Sequence, residues 1–154
     1  MQGSRRTGRE LALKIIYSLP DQTDLDVLLK DFWSTFRFQD DVLGDPLEDF
    51  SDQVPFEIRK FAEDLARGVG RHQEELDSLI RDLSTNWALE RMARVDVSIL
   101  RLGAFELLHC PETPANVIIN EAVEVGKRYG TKETPAFVNG ILDKIARRYR
   151  SEMA

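Results

Sequence analysis

Apolar residues recur along this chain at intervals of three and four, the repeat that lines one face of a helix, and no stretch alternates long enough to compete as a strand. The densest run is Val95 to Leu108. There Val95, Val97, Ile99, Leu100, Leu102, Ala104, Phe105, Leu107 and Leu108 leave almost no polar stripe, which predicts a helix covered by neighbours on most sides. Arg94, Asp96, Ser98, Arg101 and Glu106 interrupt the run, so it is too short and too polar to span a membrane and reads as the central rod of a helical domain. Pro111 and Pro114 stop it near His109 or Cys110, because proline has no backbone N–H to continue the ladder.

The other segments arrange themselves around that rod. A first helix over Gly3 to Leu19 puts Leu11, Ala12, Ile15, Ile16 and Leu19 at helical spacing. A second, about Asp24 to Phe38 and capped by Thr23 or Asp24, carries the stripe Leu25, Leu28, Leu29, Phe32, Trp33 and Phe36. Residues 39 to 54 hold six carboxylates and no basic residue, with Gly44 and Pro46 breaking the period, and read as a solvated acidic loop. Pro55 suits the first turn of a third helix with Ile58, Phe61, Ala62, Leu65, Ala66 and Val69 inside. Gly68 and Gly70 then mark a close approach or a kink before Leu76, Leu79, Ile80 and Leu83 resume the pattern, and Asn86 and Trp87 begin a short turn into the rod.

After the rod, Ile118, Ile119, Ala122, Val123, Val125 and Tyr129 line a helix that Gly130 would end in a left-handed cap. Thr134 as N-cap and Pro135 at the first helical position start the last helix, lined by Phe137, Val138, Ile141, Leu142, Ile145 and Tyr149. Within it Asn139 should need a polar partner, and Gly140 implies close packing or a close ligand. The chain is therefore expected to be all-α, with six or seven helices and no repeat of fixed period.

At 154 residues the size is that of one ordinary domain, and the expectation is a single domain over 1–154. The lone cysteine, Cys110, cannot form an internal disulfide, which fits a reducing cytoplasm; the opening residues show no export leader. The net charge of −6 is unevenly spread. Residues 1–19 carry Arg5, Arg6, Arg9 and Lys14 against Glu10, and residues 127–150 carry seven basic against two acidic side chains, while 20–126 hold 10 basic and 23 acidic ones. If the two basic ends meet, an acidic molecule gains one basic face suited to phosphate; otherwise both ends are solvated helices. Three arginines crowd the opening turns of the first helix, where exposed N–H groups are already positive, and an anion would relieve the potential. Lys14 and Tyr17 could extend that surface, the ring offering a face to an unstacked base.

Little else suggests chemistry. The segment RGVGR follows a helix and lacks a third glycine and a phosphate-loop lysine. His72 and His109 are the only histidines, and His109 beside Cys110 has neither metal-ligand spacing nor a catalytic partner. Glu121 and Glu124 are expected to serve solubility rather than acid–base work. No catalytic residue, cofactor or metal is expected.

Val117 to Gly130, VIINEAVEVGKRYG, followed by Phe137 to Ile145, FVNGILDKI, resembles the C-terminal half of the NusB family of bacterial transcription antitermination factors. RRTGRELALKIIY, Arg5 to Tyr17, is similar to that family's arginine-rich opening helix, though Thr7 and Gly8 interrupt the arginine run; RVDVSILRLGAFEL, Arg94 to Leu107, resembles its central helix. The resemblance covers most of the chain, 20–54 excepted. It implies a compact all-α fold of two packed helical bundles and a role without catalysis, binding single-stranded boxA-type RNA of ribosomal RNA transcripts. It further implies a NusE-like small-subunit ribosomal protein as partner and assembly with the RNA polymerase antitermination complex. Homodimerisation, known in parts of the family, stays open. Carried over, Arg5, Arg6 and Arg9 would contact phosphates, with Lys14 and Tyr17 beside them, and Lys132, Glu133 and Phe137 around the turn at Thr134 would form the neighbouring RNA wall. The acidic helices between about His72 and Arg101 would face the basic partner. The alternatives are a helical domain related to those of ribosomal RNA cytosine methyltransferases and a pure protein-interaction module.

Overall fold

Each periodic segment that falls within the described residues of the computed structural model, 2–18, 25–35, 54–84 and 88–153, is helical. In order these are α1 (Gln2–Ser18), α2 (Leu25–Thr35), α3 (Phe56–Arg71), α4 (Gln73–Leu83), α5 (Arg94–His109), α6 (Ala115–Tyr129) and α7 (Thr134–Tyr149), with 3₁₀ turns at Leu89–Arg91 and Ser151–Met153. Among the described residues there is no strand, and no helix is long and apolar enough to cross a membrane. Leu19, the caps Thr23 and Asp24, Phe36, the acidic stretch up to residue 53, and Asn86 and Trp87 lie outside the described residues. The chain folds into two compact units, Met1–Gly70 and Arg71–Ala154.

In the first unit α1 is more enclosed than a one-sided apolar stripe requires. Every residue from Thr7 to Ile16 is buried, Leu13 with Leu11 and Ala12, so this stretch has no solvent face. Gly8 gives the reason for the break in the arginine run: a Cβ there would run into the Phe61 ring of α3. The second helix is tied to the third by polar contacts. Trp33 Nε1 donates to Glu63 Oε1 at 2.6 Å, Arg59 lies 4.9 Å over the Trp33 ring, and Arg67 pairs with Asp26. Gly68 is buried and Gly70 faces Leu25, but neither kinks the helix; the interruption falls at His72, with φ −111° and ψ 15°.

In the second unit α5 is the rod. It packs against α4, α6 and α7, and its buried residues, Val97 to Leu100, Leu102 to Ala104, Glu106 and Leu107, leave only a narrow exposed strip. Gly103 lets Leu142 of α7 approach, since a Cβ at Gly103 would stand 2.6 Å from Leu142 Cδ1. Arg101 of α5 grips Asp77 of α4 through both arms, Nε to Oδ1 at 2.7 Å and Nη2 to Oδ2 at 2.9 Å. The rod ends at His109, and Arg150 closes that end: its guanidinium donates to the carbonyls of Leu107 (2.7 Å), Cys110 (2.9 Å), Thr113 (2.9 Å) and Glu106 (3.2 Å). Glu152 braces this group, accepting from Arg150 Nη1 at 2.8 Å and from the Ala115 N–H at 3.4 Å, at the start of α6.

Four local expectations are corrected. Gly130 is not in the left-handed region, having φ −97° and ψ −165°; it is glycine because any Cβ would collide with Thr134. Thr134 does not cap its own helix, for its hydroxyl accepts from the Thr131 N–H at 2.9 Å and donates to Asp96 Oδ1 at 2.7 Å. Asn139 is exposed, so water can satisfy its amide. Gly140 is exposed as well, and a Cβ there would meet nothing within 4 Å, so close packing does not explain it.

Candidate nucleic-acid interface

The N-terminal part of the predicted site is built on α1. Arg5 and Arg9 are four residues apart, one turn of helix, and both guanidinium groups lie against the Phe61 ring, at 4.6 and 5.7 Å from its centroid. The π-face attracts a cation, which holds each long side chain to a smaller range of positions. Gly8 on the same turn is what lets the ring sit so close. Arg5 and Arg6 are exposed, whereas Arg9 is 5 % exposed and Lys14 4 % exposed. A guanidinium that deep cannot reach a phosphate without leaving its surroundings, so Arg9 and Lys14 differ from Arg5 and Arg6 in what they can touch. Tyr17 is half-buried near the end of the helix.

The C-terminal part sits on the turn between α6 and α7. Lys132 and Glu133 are exposed, and Phe137, one turn into α7, is half-buried. Thr134, with no exposed surface, anchors the turn to Asp96 at the start of α5. Gly126 and Gly130 leave the room Thr134 occupies. Around the turn Lys127 and Arg128 are exposed, Arg128 lying 5.5 Å from the Tyr129 ring centroid. Three other basic residues of this region are engaged elsewhere. Arg150 is buried among carbonyls, Lys144 donates to the Leu83 carbonyl at 3.3 Å, and Arg147 pairs with Asp143 at 2.8 Å. The residues assigned to RNA thus form two groups, one in each unit: Arg5, Arg6, Arg9, Lys14 and Tyr17 on α1, and Lys132, Glu133 and Phe137 at the α6–α7 turn.

The acidic stretch from His72 to Arg101 is also resolved into parts. Asp77 is buried in its pairing with Arg101, while Glu74, Asp82 and Glu90 are exposed. The Arg81 guanidinium 2.9 Å from Glu90 contributes to holding that carboxyl below its ordinary value, second to a backbone hydrogen bond at Glu90 itself.

Sequence spacing missed three arrangements. Phe61 reads as plain core, and only the fold shows arginines on its face. Arg150 counts as a surface cation until its carbonyl partners are seen. His72, Glu75 and His109 come together although 34 residues separate Glu75 from His109. Sequence spacing cannot show that last group, because the packing of α4 against α5 brings its members together.

Comparison with known proteins gives a consistent result. The family model described as the NusB family matches residues 6–147. A protein of Syntrophotalea carbinolica named "Transcription antitermination protein NusB" is 62% identical over 152 residues, covering 99% of this chain and 97% of that one. The solved structure of T. maritima NusB is 30% identical, with a TM-score of 0.75, over 97% of this chain and 95% of that one. A structure described as antitermination factors NusB and NusE in complex with dsRNA shares the fold at 22% identity and a TM-score of 0.74, over 97% of this chain and 100% of that one. In sequence over nearly its whole length, and in fold, this chain belongs to the NusB family.

Proposed function

We propose that this chain is a transcription antitermination factor acting as one RNA-binding domain. It binds a single-stranded, boxA-type segment of ribosomal RNA transcripts together with a NusE-like ribosomal protein, and joins the antitermination complex on cytoplasmic RNA polymerase. The observation that carries the reading is the 62% identity, over 99% of the chain, to a protein named for transcription antitermination. The solved relative described with NusE and dsRNA supports an RNA and a NusE-like protein as the classes of partner.

In this reading Arg5 and Arg6 contact phosphates directly, and Phe61 presents Arg5 at a fixed height. Arg9 and Lys14, being buried, shape the helix and its potential rather than touching the strand. Lys132 and Glu133 border a second stretch of RNA, with the Phe137 and Tyr17 rings available for stacking. The exposed carboxylates Glu74, Asp82 and Glu90 face the basic partner protein. The role is binding, without catalysis.

The test is fluorescence anisotropy with a labelled boxA-like RNA oligomer, with and without the NusE-like protein. Binding is expected to be tighter with the partner and to weaken when Arg5 and Arg6 are both replaced by alanine. Absence of RNA binding under both conditions would favour a protein-interaction module instead. Methyl transfer to the RNA on adding a methyl donor would make the chain an enzyme.

A further inference from the structure

In the second unit the last turn of α5 lies beside the first turn of α4, and three metal-ligating side chains converge there. His109 ends α5, His72 precedes α4, and Glu75 occupies the opening of α4. One ligand atom from each of the three lies within 4.8 Å of the others. The two imidazole rings stack with centroids 4.1 Å apart and planes 23° from parallel, and His109 Nε2 lies 2.9 Å from Glu75 Oε1. Phe105, one turn before His109, closes the inner side, its ring centroid 5.2 Å from that of His109 and 5.9 Å from that of His72.

We propose that His72, Glu75 and His109 form a surface site for one divalent transition-metal ion of the zinc class. Two imidazole nitrogens and one carboxylate oxygen are the donor set such ions prefer over magnesium or calcium, and three protein ligands leave a position for water or an exchangeable ligand. A tetrahedron with bonds of about 2.0–2.1 Å has ligand atoms roughly 3.3 Å apart. Closing the cluster from its present spacing therefore needs a small rotation of side chains, and His109 and Glu75 are exposed enough to make it. The helices beneath need not move, since Arg101, about two turns before His109, and Asp77, two residues beyond Glu75, already clamp α4 to α5. The carboxylate can only accept, so in the present contact His109 Nε2 carries a proton; a cation at that point takes the proton's place between the same two groups. The Phe105 ring gives the two imidazoles an apolar backing.

The test uses zinc chloride titrated calorimetrically into the untagged full chain. One equivalent is expected to bind, with affinity falling by roughly tenfold or more in His72→Ala and in His109→Ala, and falling also in Glu75→Gln. Cys110→Ser is expected to bind as the parent does. Imidazole nitrogen NMR gives an independent readout on the unaltered protein. The chain has only two histidines, so both ring signals should shift together at one equivalent of zinc. No stoichiometric binding, histidine variants that bind like the parent, binding lost in Cys110→Ser, or ring signals that stay in place would each overturn the site.

Discussion

Arg150 adds a side-chain clamp to the end of α5, where the Cys110 N–H already donates to the Glu106 carbonyl at 3.0 Å. Four carbonyls at the end of the rod and in the following loop receive one guanidinium, itself 8 % exposed; those of Glu106 and Cys110 also accept the backbone N–H of Cys110 and Thr113. A cation at a helix C-terminus is favoured by the dipole, and charged hydrogen bonds are about twice as strong as neutral ones. Arg150→Ala should therefore cost about 3 kcal/mol, because four carbonyls lose a charged donor. Arg150→Lys should lie between the two, keeping the charge but not the planar fork. Urea unfolding followed by circular dichroism measures both; an alanine variant within experimental scatter of the parent would show that water can replace the clamp. Beside it, a backbone hydrogen bond at Glu152 and then the Arg150 guanidinium hold the Glu152 carboxyl below its ordinary value of 4.5. A depressed carboxyl stabilises the fold above its unfolded value, and that contribution disappears as pH falls through the lower, folded one. The parent should thus melt above Glu152→Gln at pH 7, with the gap narrowing below about pH 4. A gap independent of pH would mean the charge is not involved.

At the scale of the helix, two glycines in the same bundle make opposite demands. Gly103 sits where α5 and α7 touch, and the nearest atom to an added Cβ is the buried Leu142 side chain. Gly103→Val should overpack this contact and cost about 1–3 kcal/mol. Gly140 faces open space within α7, so Gly140→Ala should stabilise by about 0.5–1 kcal/mol through helix propensity and a less flexible unfolded chain. Thermal unfolding of the two variants should give shifts of opposite sign. If Gly140→Ala stabilises but weakens RNA binding, the glycine is kept for a close ligand. These cases show what periodicity can and cannot reveal. The 3.6-residue repeat marks the rod between Val95 and Leu108, because burial on most faces is written directly in residue type. It cannot distinguish Gly103 from Gly140, since the difference lies in the neighbouring helix. It also assigns Phe61 to the core without its arginines, and leaves His72 and Glu75 far from His109. Thr134 was legible as a special position, but its bond to Asp96 depends on a helix 38 residues away in sequence.

Across the whole molecule, net charge alone would argue against an anionic ligand, yet binding depends on which cations can release counterions from phosphate. For single-stranded RNA each such contact contributes roughly 0.7 to the slope of log affinity against log salt. Arg5 and Arg6 are exposed, while Arg9, Lys14 and Arg150 are buried, so formal charge overstates the cations that can touch the strand. Replacing Arg5 and Arg6 together by alanine should lower the magnitude of the slope by roughly 1.4, with the RNA oligomer and partner protein held constant. Phe61→Leu separates charge from position. It keeps every cation but removes the aromatic face under Arg5, so affinity should fall by roughly two- to fivefold, the worth of an exposed cation–π contact, while the slope stays close to that of the parent. Equal slopes in the parent and the double-arginine variant would remove this end of α1 from the RNA interface. A changed slope in Phe61→Leu would mean that Arg5 loses its phosphate altogether when the ring beneath it is gone.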